Sequence, residues 1–241
     1  MGSLETLKLV YFMLGVILAT SIYLNLIAFG MENGEELEEM PSMYTDEEIS
    51  SLQEVEVPLL AVNSYGNAGE VGHATINGIS GSSNVFLMTE PMVSENAQYS
   101  SSIASMVAHD IAEEGSMDFM VRYHINSNRL SGESAGAAKT LGMLSLLKNK
   151  TLREDTVITG AVARNGWINH VSGIPEKIKA ANHEGYDRVL IPRGQGGIDF
   201  RARVMMTRES DSNVIEGSKE RYGVEVIEVS DIEEAADYIL E

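Results

Sequence analysis

The sequence predicts an α+β domain, preceded by one apolar span and an acidic linker. Three observations predict it. Runs at 55–63, 70–78 and 84–90 alternate or stay apolar between Gly, Ser and Asn turns, as strands do. Interleaved with such runs, 98–114 and 135–148 carry apolar residues at helical spacing. Ahead of both, residues 9–31 contain no charged side chain.

That first run, LVYFMLGVILATSIYLNLIAFGM, is long enough to cross a bilayer, since about 20 helical residues span ~30 Å. Two readings compete for residues 1–31, an uncleaved transmembrane anchor and a signal peptide. Ala28-Phe29-Gly30 is a small-x-small cleavage site, but the apolar region of a signal peptide is shorter, roughly 7–15 residues, which favours the anchor. Lys8 precedes the run, whereas Glu32, Glu35, Glu36, Glu38 and Glu39 follow it. By the positive-inside rule the chain is a single-pass membrane protein whose remainder lies outside the cytoplasm. Residues 32–54 are acidic, lack an apolar stripe and read as a solvated linker.

The folded domain is expected over 55–241. After the first three strands and the helix bearing Ile103, Met106, Val107 and Ile111 comes a strand at 117–125. The helix at 135–148 presents Leu141, Leu144 and Leu147 along one side. A strand at 156–163, a turn at Asn165-Gly166 and a strand at 167–171 follow. Pro175 suits the first turn of a helix ending near Glu184. The strand 187–192, a helix over 211–222, the strand 224–229 and a helix from Ser230 to Leu240 complete the domain. Ser230 with Glu233 and Glu234 nearby predicts a capped start for that last helix.

Composition removes several function classes. With 17 basic and 36 acidic residues the formal charge is -19, contrary to the phosphate neutralisation that nucleic-acid binding needs. There is no cysteine, so disulfides, thiol nucleophiles and Cys-based zinc sites are excluded. The five histidines, His73, His109, His124, His170 and His183, include no H-x-x-x-H pair, so neither a metal nor a cofactor is expected.

Two segments can carry chemistry. In Gly132-Glu133-Ser134-Ala135-Gly136-Ala137-Ala138 a serine stands among small residues at the start of an apolar helix. Small neighbours let a substrate backbone approach, and helical N–H groups can hold an oxyanion. Ser134 reads equally well as a helix N-cap. The tail Gly136-Ala137-Ala138-Lys139-Thr140 imitates a P-loop, but Ala138 stands where G-x-x-x-x-G-K-[ST] needs glycine. In Ser172-Gly173-Ile174-Pro175-Glu176-Lys177-Ile178-Lys179-Ala180-Ala181, Lys177 shares an apolar helix side, whereas Lys179 reads as a surface lysine. A snorkelling surface residue is the competing reading of Lys177.

Together the segments resemble the proteolytic domain of the Lon family. Its nucleophilic serine lies in a G-x-S-A-G segment and its lysine in a G-G-x-x-E-K-x-x-A-A segment. Here Lys177 follows Ser134 by 43 residues, with Ile158-Thr159-Gly160 and the Asn165-Gly166 turn between them. The likeness continues through Arg188-Val189-Leu190-Ile191-Pro192 and is closest to membrane-anchored archaeal Lon-like forms lacking the ATPase module. In three places the sequence departs from the pattern: Glu133 replaces a Pro or Asp, Ser172 replaces a Gly, and His170 stands where Pro is common.

The resemblance implies a Lon proteolytic-domain-like fold and an ATP-independent serine endopeptidase with a Ser134–Lys177 dyad. It would act on unfolded or membrane-associated polypeptides, as a homo-oligomeric ring, a hexamer. It further implies that Thr159 orients Lys177, with Gly132, Glu133 and Ala135 supporting the site. Glu133 bears on whether Lys177 is neutral or held protonated. A Ser–His–Asp arrangement using His170 or His109 with Asp110 is the rival within hydrolases, although Gly132–Gly136 lacks the buried strand of a nucleophile elbow. Outside the hydrolases, the alternative is a catalytically silent, membrane-tethered binding or assembly module with the same fold. Asn149-Lys150-Thr151 is a glycosylation sequon, compatible with an outward-facing domain.

Overall fold

A computed structural model describes residues 53–63, 68–88, 90–113, 117–126, 129–197 and 214–241. The apolar run 9–31 and nearly all of the acidic linker lie outside the described residues. Among the described residues no helix is long and apolar enough to cross a membrane.

The architecture is α+β, and the described residues form two main sheets and two short strand pairs. Strands β1 (Gln53–Val62), β2 (Gly69–Ser80), β3 (Val85–Leu87) and β5 (Met117–His124) form the larger sheet in the order β1-β2-β5-β3. The first two pairings are antiparallel, and β3 runs parallel to β5. β2 shows why such a sheet forms. Gly72, Ala74, Ile76 and Gly78 are buried while the residues between them are not, the period of two that places one face on a core. β5 repeats the pattern with Phe119, Val121 and Tyr123.

Two helices cover that face: α1 (Glu95–Ala112) and α2 (Gly136–Leu147). The one-sided apolar stripe expected of α2 does not describe it. Residues Gly136 to Leu146 are buried on every side, so α2 is a core helix wedged between α1 and the sheet. Gly142 lets this happen, since a side chain there would meet Val57 of β1.

The second sheet is parallel, in the order β11-β10-β7, from β7 (Thr156–Ile158), β10 (Arg188–Pro192) and β11 (Glu225–Val229). Parallel neighbours need crossovers, supplied by α3 (Ile174–His183) and α4 (Val214–Tyr222). Their apolar contacts gather Leu60, Val157, Ile178, Val189 and Ile191 into a second core. The last helix, α5 (Ile232–Ile239), packs against the first.

Four local expectations change. The run 156–163 is not one strand: β7 ends at Ile158, and β8 (Ala161–Val162) pairs instead with β9 (Ile168–Asn169) across the expected Asn165-Gly166 turn. Two short strands, β4 (Met92–Val93) and β6 (Arg129–Leu130), pair in parallel where no strand was expected. α1 starts earlier, because Ser94 caps it by accepting from Ala97 N. The cap of α5 is Asp231, which accepts from Glu234 N at 2.9 Å, and Glu234 answers by accepting from Ser230 N at 2.8 Å. The capped start is present one residue later than expected, with Glu234 reaching back to the residue before the cap.

Candidate active site

Ser134 stands in the tight turn that leads into α2 and is half-buried. It does not cap the helix. The N-cap is Ala135, and no side-chain hydrogen bond serves there. The turn is tied instead by main-chain bonds: Gly136 N donates to Glu133 O and Ala137 N to Gly160 O. The first two helical N–H groups, which the sequence offered as oxyanion donors, are therefore engaged. Among the described residues the main-chain N–H groups of Ser134 and Ala135 have no acceptor.

The break between β7 and β8 explains what holds this turn. Thr159 N still follows the parallel sheet, donating to Leu190 O at 3.1 Å. Gly160 N then turns to donate to Ser134 O at 2.9 Å, while Gly160 O accepts from Ala137. The serine segment is thus clasped by one residue on both main-chain sides. A glycine is needed because a Cβ at 160 would run into the Ile168 side chain.

Lys177 arrives from the other side, in the first turn of α3. Gly173 starts that helix in the left-handed region at φ 72°, where a Cβ would collide with Val62 of β1. Pro175 occupies the first turn and Lys177 N donates to Gly173 O at 3.0 Å. Ile174, Lys177, Ile178 and Ala181 form the buried side. Lys179, two residues on, is exposed. Lys177 itself is 1% exposed, so the snorkelling alternative does not describe it.

The amine of Lys177 donates to Thr159 Oγ1 at 2.9 Å, and that hydroxyl donates to Ser134 O at 3.3 Å. Thr159 is fully buried. Loss of hydration moves the amine from 10.5 down to about 8. Among the described residues no carboxylate raises it again. The charge of Glu133 acts on Lys139 instead, an amine further along α2.

Ser134 and Lys177 line one open groove of about 910 Å³. The segment Ser131-Gly132-Glu133 forms one wall, with Gly132 at φ 96° and Glu133 exposed; the end of β1 and residues 170–172 lie along others. Ala135 lies at the head of α2, outside the groove lining. The histidines of the rival triad are engaged elsewhere. His170 lines the groove, but its Nε2 donates to Arg193 O at 2.9 Å, and among the described residues no ion pair joins it to a carboxylate. His109 faces the carbonyls of Ser105 and Met117 in the core, stacked obliquely on Phe119.

A model of the Lon protease (S16) C-terminal proteolytic domain matches residues 79–199, a stretch that contains Ser134, Thr159 and Lys177. The chain belongs to this family. Lon relatives agree with it. The chain is 46% identical over 61 residues to the Lon protease of Phenylobacterium zucineum, covering 25% of this chain and 8% of that protein. It is 33% identical over 75 residues to the archaeal Lon protease of Methanocaldococcus jannaschii, covering 31% and 12%. A longer match, 30% over 132 residues, reaches the Lon protease of Lawsonia intracellularis, covering 52% and 16%. The matched stretches of this Lon-family chain therefore cover less than a fifth of the length of these relatives.

The residue that sequence reasoning missed is Lys139. It was considered only as the tail of a P-loop, yet it is a buried amine. Its signal was present: a lysine amid Gly136-Ala137-Ala138 and Thr140-Leu141-Gly142 has no polar helical face on which to lie.

Proposed function

We propose that this chain is a serine endopeptidase in which Ser134 is the nucleophile and Lys177 the general base. The observation that carries the reading is the Lys177 amine: buried, without a carboxylate partner among the described residues, hydrogen-bonded to Thr159, and on the groove that Ser134 lines. A free lysine is neutral in only about 1 in 2,500 molecules at pH 7. With its value brought to about 8, roughly one amine in ten is neutral at that pH. The shift corresponds to about 3 kcal/mol of destabilisation of the ammonium form, supplied by apolar burial.

In the reaction Lys177 accepts the Ser134 hydroxyl proton as the oxygen attacks the scissile carbonyl. The carbonyl oxygen, now negative, is met by the free N–H groups of Ser134 and Ala135. The ammonium then returns its proton to the departing amine, leaving an acyl ester on Ser134. Water, deprotonated by the same amine, releases the acid and restores the serine. Thr159 acts by orientation: its hydroxyl fixes the amine and ties it to the backbone that carries the nucleophile.

The 241 residues contain no Walker motif, so hydrolysis by this chain is proposed to need no nucleotide. Residues 9–31 are proposed as a single membrane anchor with the peptidase outside the cytoplasm, acting on unfolded or membrane-associated polypeptides. A homo-oligomeric ring, a hexamer, is the proposed assembly. Casein hydrolysis without nucleotide tests the activity. The wild type should cleave, and Ser134→Ala and Lys177→Ala should each lose at least about a thousandfold, as residues acting as one unit do. Full activity in both variants would exclude the dyad. A catalytically silent module would cleave nothing in any form and leave a serine-reactive probe unattached.

A further inference from the structure

The core behind Ser134 holds a second buried amine that the proposed dyad does not use. Lys139 of α2 is 1% exposed. Its Nζ donates to Ser101 Oγ at 2.8 Å and to Ala97 O at 3.4 Å, both on α1, and stands 6.0 Å from the Tyr123 ring centroid. Ser101 Oγ is itself saturated. It donates to Ala97 O at 2.8 Å, so the Tyr123 hydroxyl, 2.9 Å away, must donate to it. Two acceptors in reach match the two N–H groups of a neutral amine and fall one short of the three of an ammonium. Among the described residues no ion pair reaches Lys139.

The contacts of α1 fall on both sides of the serine turn. Ser100 Oγ donates to Glu133 O at 3.4 Å, just before Ser134, and its neighbour Ser101 takes the Lys139 amine after it. Lys139 N also donates to Ala135 O at 3.1 Å. The geometry points to Lys139 as a positioning residue, whose neutral amine locks the head of α2 onto α1 and so sets Ser134 against Lys177. This rests on the dyad reading for its consequence in turnover, though not for the packing itself.

Proton uptake by Lys139 would place a third, unmatched N–H and a charge in an apolar core. The titratable groups facing it are few: Tyr123 of β5, through Ser101, and the Glu133 carboxylate from the turn, whose charge favours the ammonium. Burial dominates and brings the amine down to about 7, below Lys177. Two lysines, rather than one, must then be neutral for full activity.

The test compares the acid side of the pH profile of kcat/KM for peptide hydrolysis in wild type, Lys139→Met and Ser101→Ala. In the wild type the rate should fall about tenfold per pH unit just below 8 and about a hundredfold per unit well below 7, as two required protonation events dictate. Lys139→Met should keep only the tenfold slope. Ser101→Ala removes an acceptor that favours the ammonium, so its steeper limb should move to lower pH, which keeps the test alive if the methionine variant does not fold. Superimposable limbs in all three would overturn the assignment. Amide exchange over residues 133–140 gives a readout independent of turnover. At about pH 6 the wild type should exchange at least about tenfold faster there than Lys139→Met at the same pH, the sign of a local opening driven by the charge. Equal exchange would overturn the positioning role even if the dyad proved correct, and an inactive wild type with this difference would overturn the dyad alone.

Discussion

Lys177 Nζ donates a hydrogen bond to Thr159 Oγ1 at 2.9 Å, and through that hydroxyl the amine is connected to the main chain of Ser134. Thr159 is fully buried at the point where one strand run breaks into two. The same break frees Gly160 to clasp the serine turn. One kink therefore supplies both the hydroxyl that the Lys177 amine bonds and the backbone grip.

Thr159→Val keeps the shape and removes the hydroxyl, leaving a buried amine without its acceptor, a loss of about 1–3 kcal/mol. Peptide-hydrolysis kinetics should show kcat lowered about 10- to 100-fold with KM little changed. Thr159→Ser should recover most of it.

The pH dependence follows from the sign of the Lys177 shift. The proposed reaction needs the neutral amine, so kcat/KM should rise with pH and level off above about 8. Lys177→Arg should be inactive at every pH, because a guanidinium does not deprotonate in this range.

Stability should rise with pH as activity does, but over a higher window. The folded-state value of Lys177, about 8, lies below its unfolded value of 10.5, so unfolding takes up a proton between them. Stability then increases with pH through that window. Lys177→Met should be about 1–3 kcal/mol more stable than wild type near pH 7, with the gap shrinking as pH rises. Denaturant midpoints across pH measure it.

Gly173→Ala tests the seat of α3. The residue has φ 72°, and a Cβ would meet the Val62 side chain. The substitution should cost about 1–3 kcal/mol and displace Lys177, lowering kcat by more than the stability loss explains. Melting and kinetics on the same sample separate the two effects.

The larger strands and helices were legible because each has a period that only one element satisfies. β2 alternates cleanly, and Pro175 behind Gly173 marks the start of α3. Ser134, Thr159 and Lys177 were legible only together, since each alone has an ordinary reading as cap, strand residue or surface lysine. What the sequence hid is tertiary. Nothing local in TVITGAVA shows that Gly160 leaves one sheet to bond the Ser134 carbonyl. Lys139 was obscured because lysine is rarely buried without a charged partner, and its hydroxyl partner, Ser101, lies on a helix distant in sequence. Glu133, singled out for its place beside the serine, acts on that lysine rather than on Lys177.

Covalent labelling with a serine-reactive fluorophosphonate, followed by peptide mapping across pH, tests the central claim most directly. Modification is expected at Ser134 alone, at a rate that rises with pH to a plateau above about 8 and is lost in Lys177→Met. Labelling elsewhere, or an equal rate at Ser134 without the lysine, would contradict it.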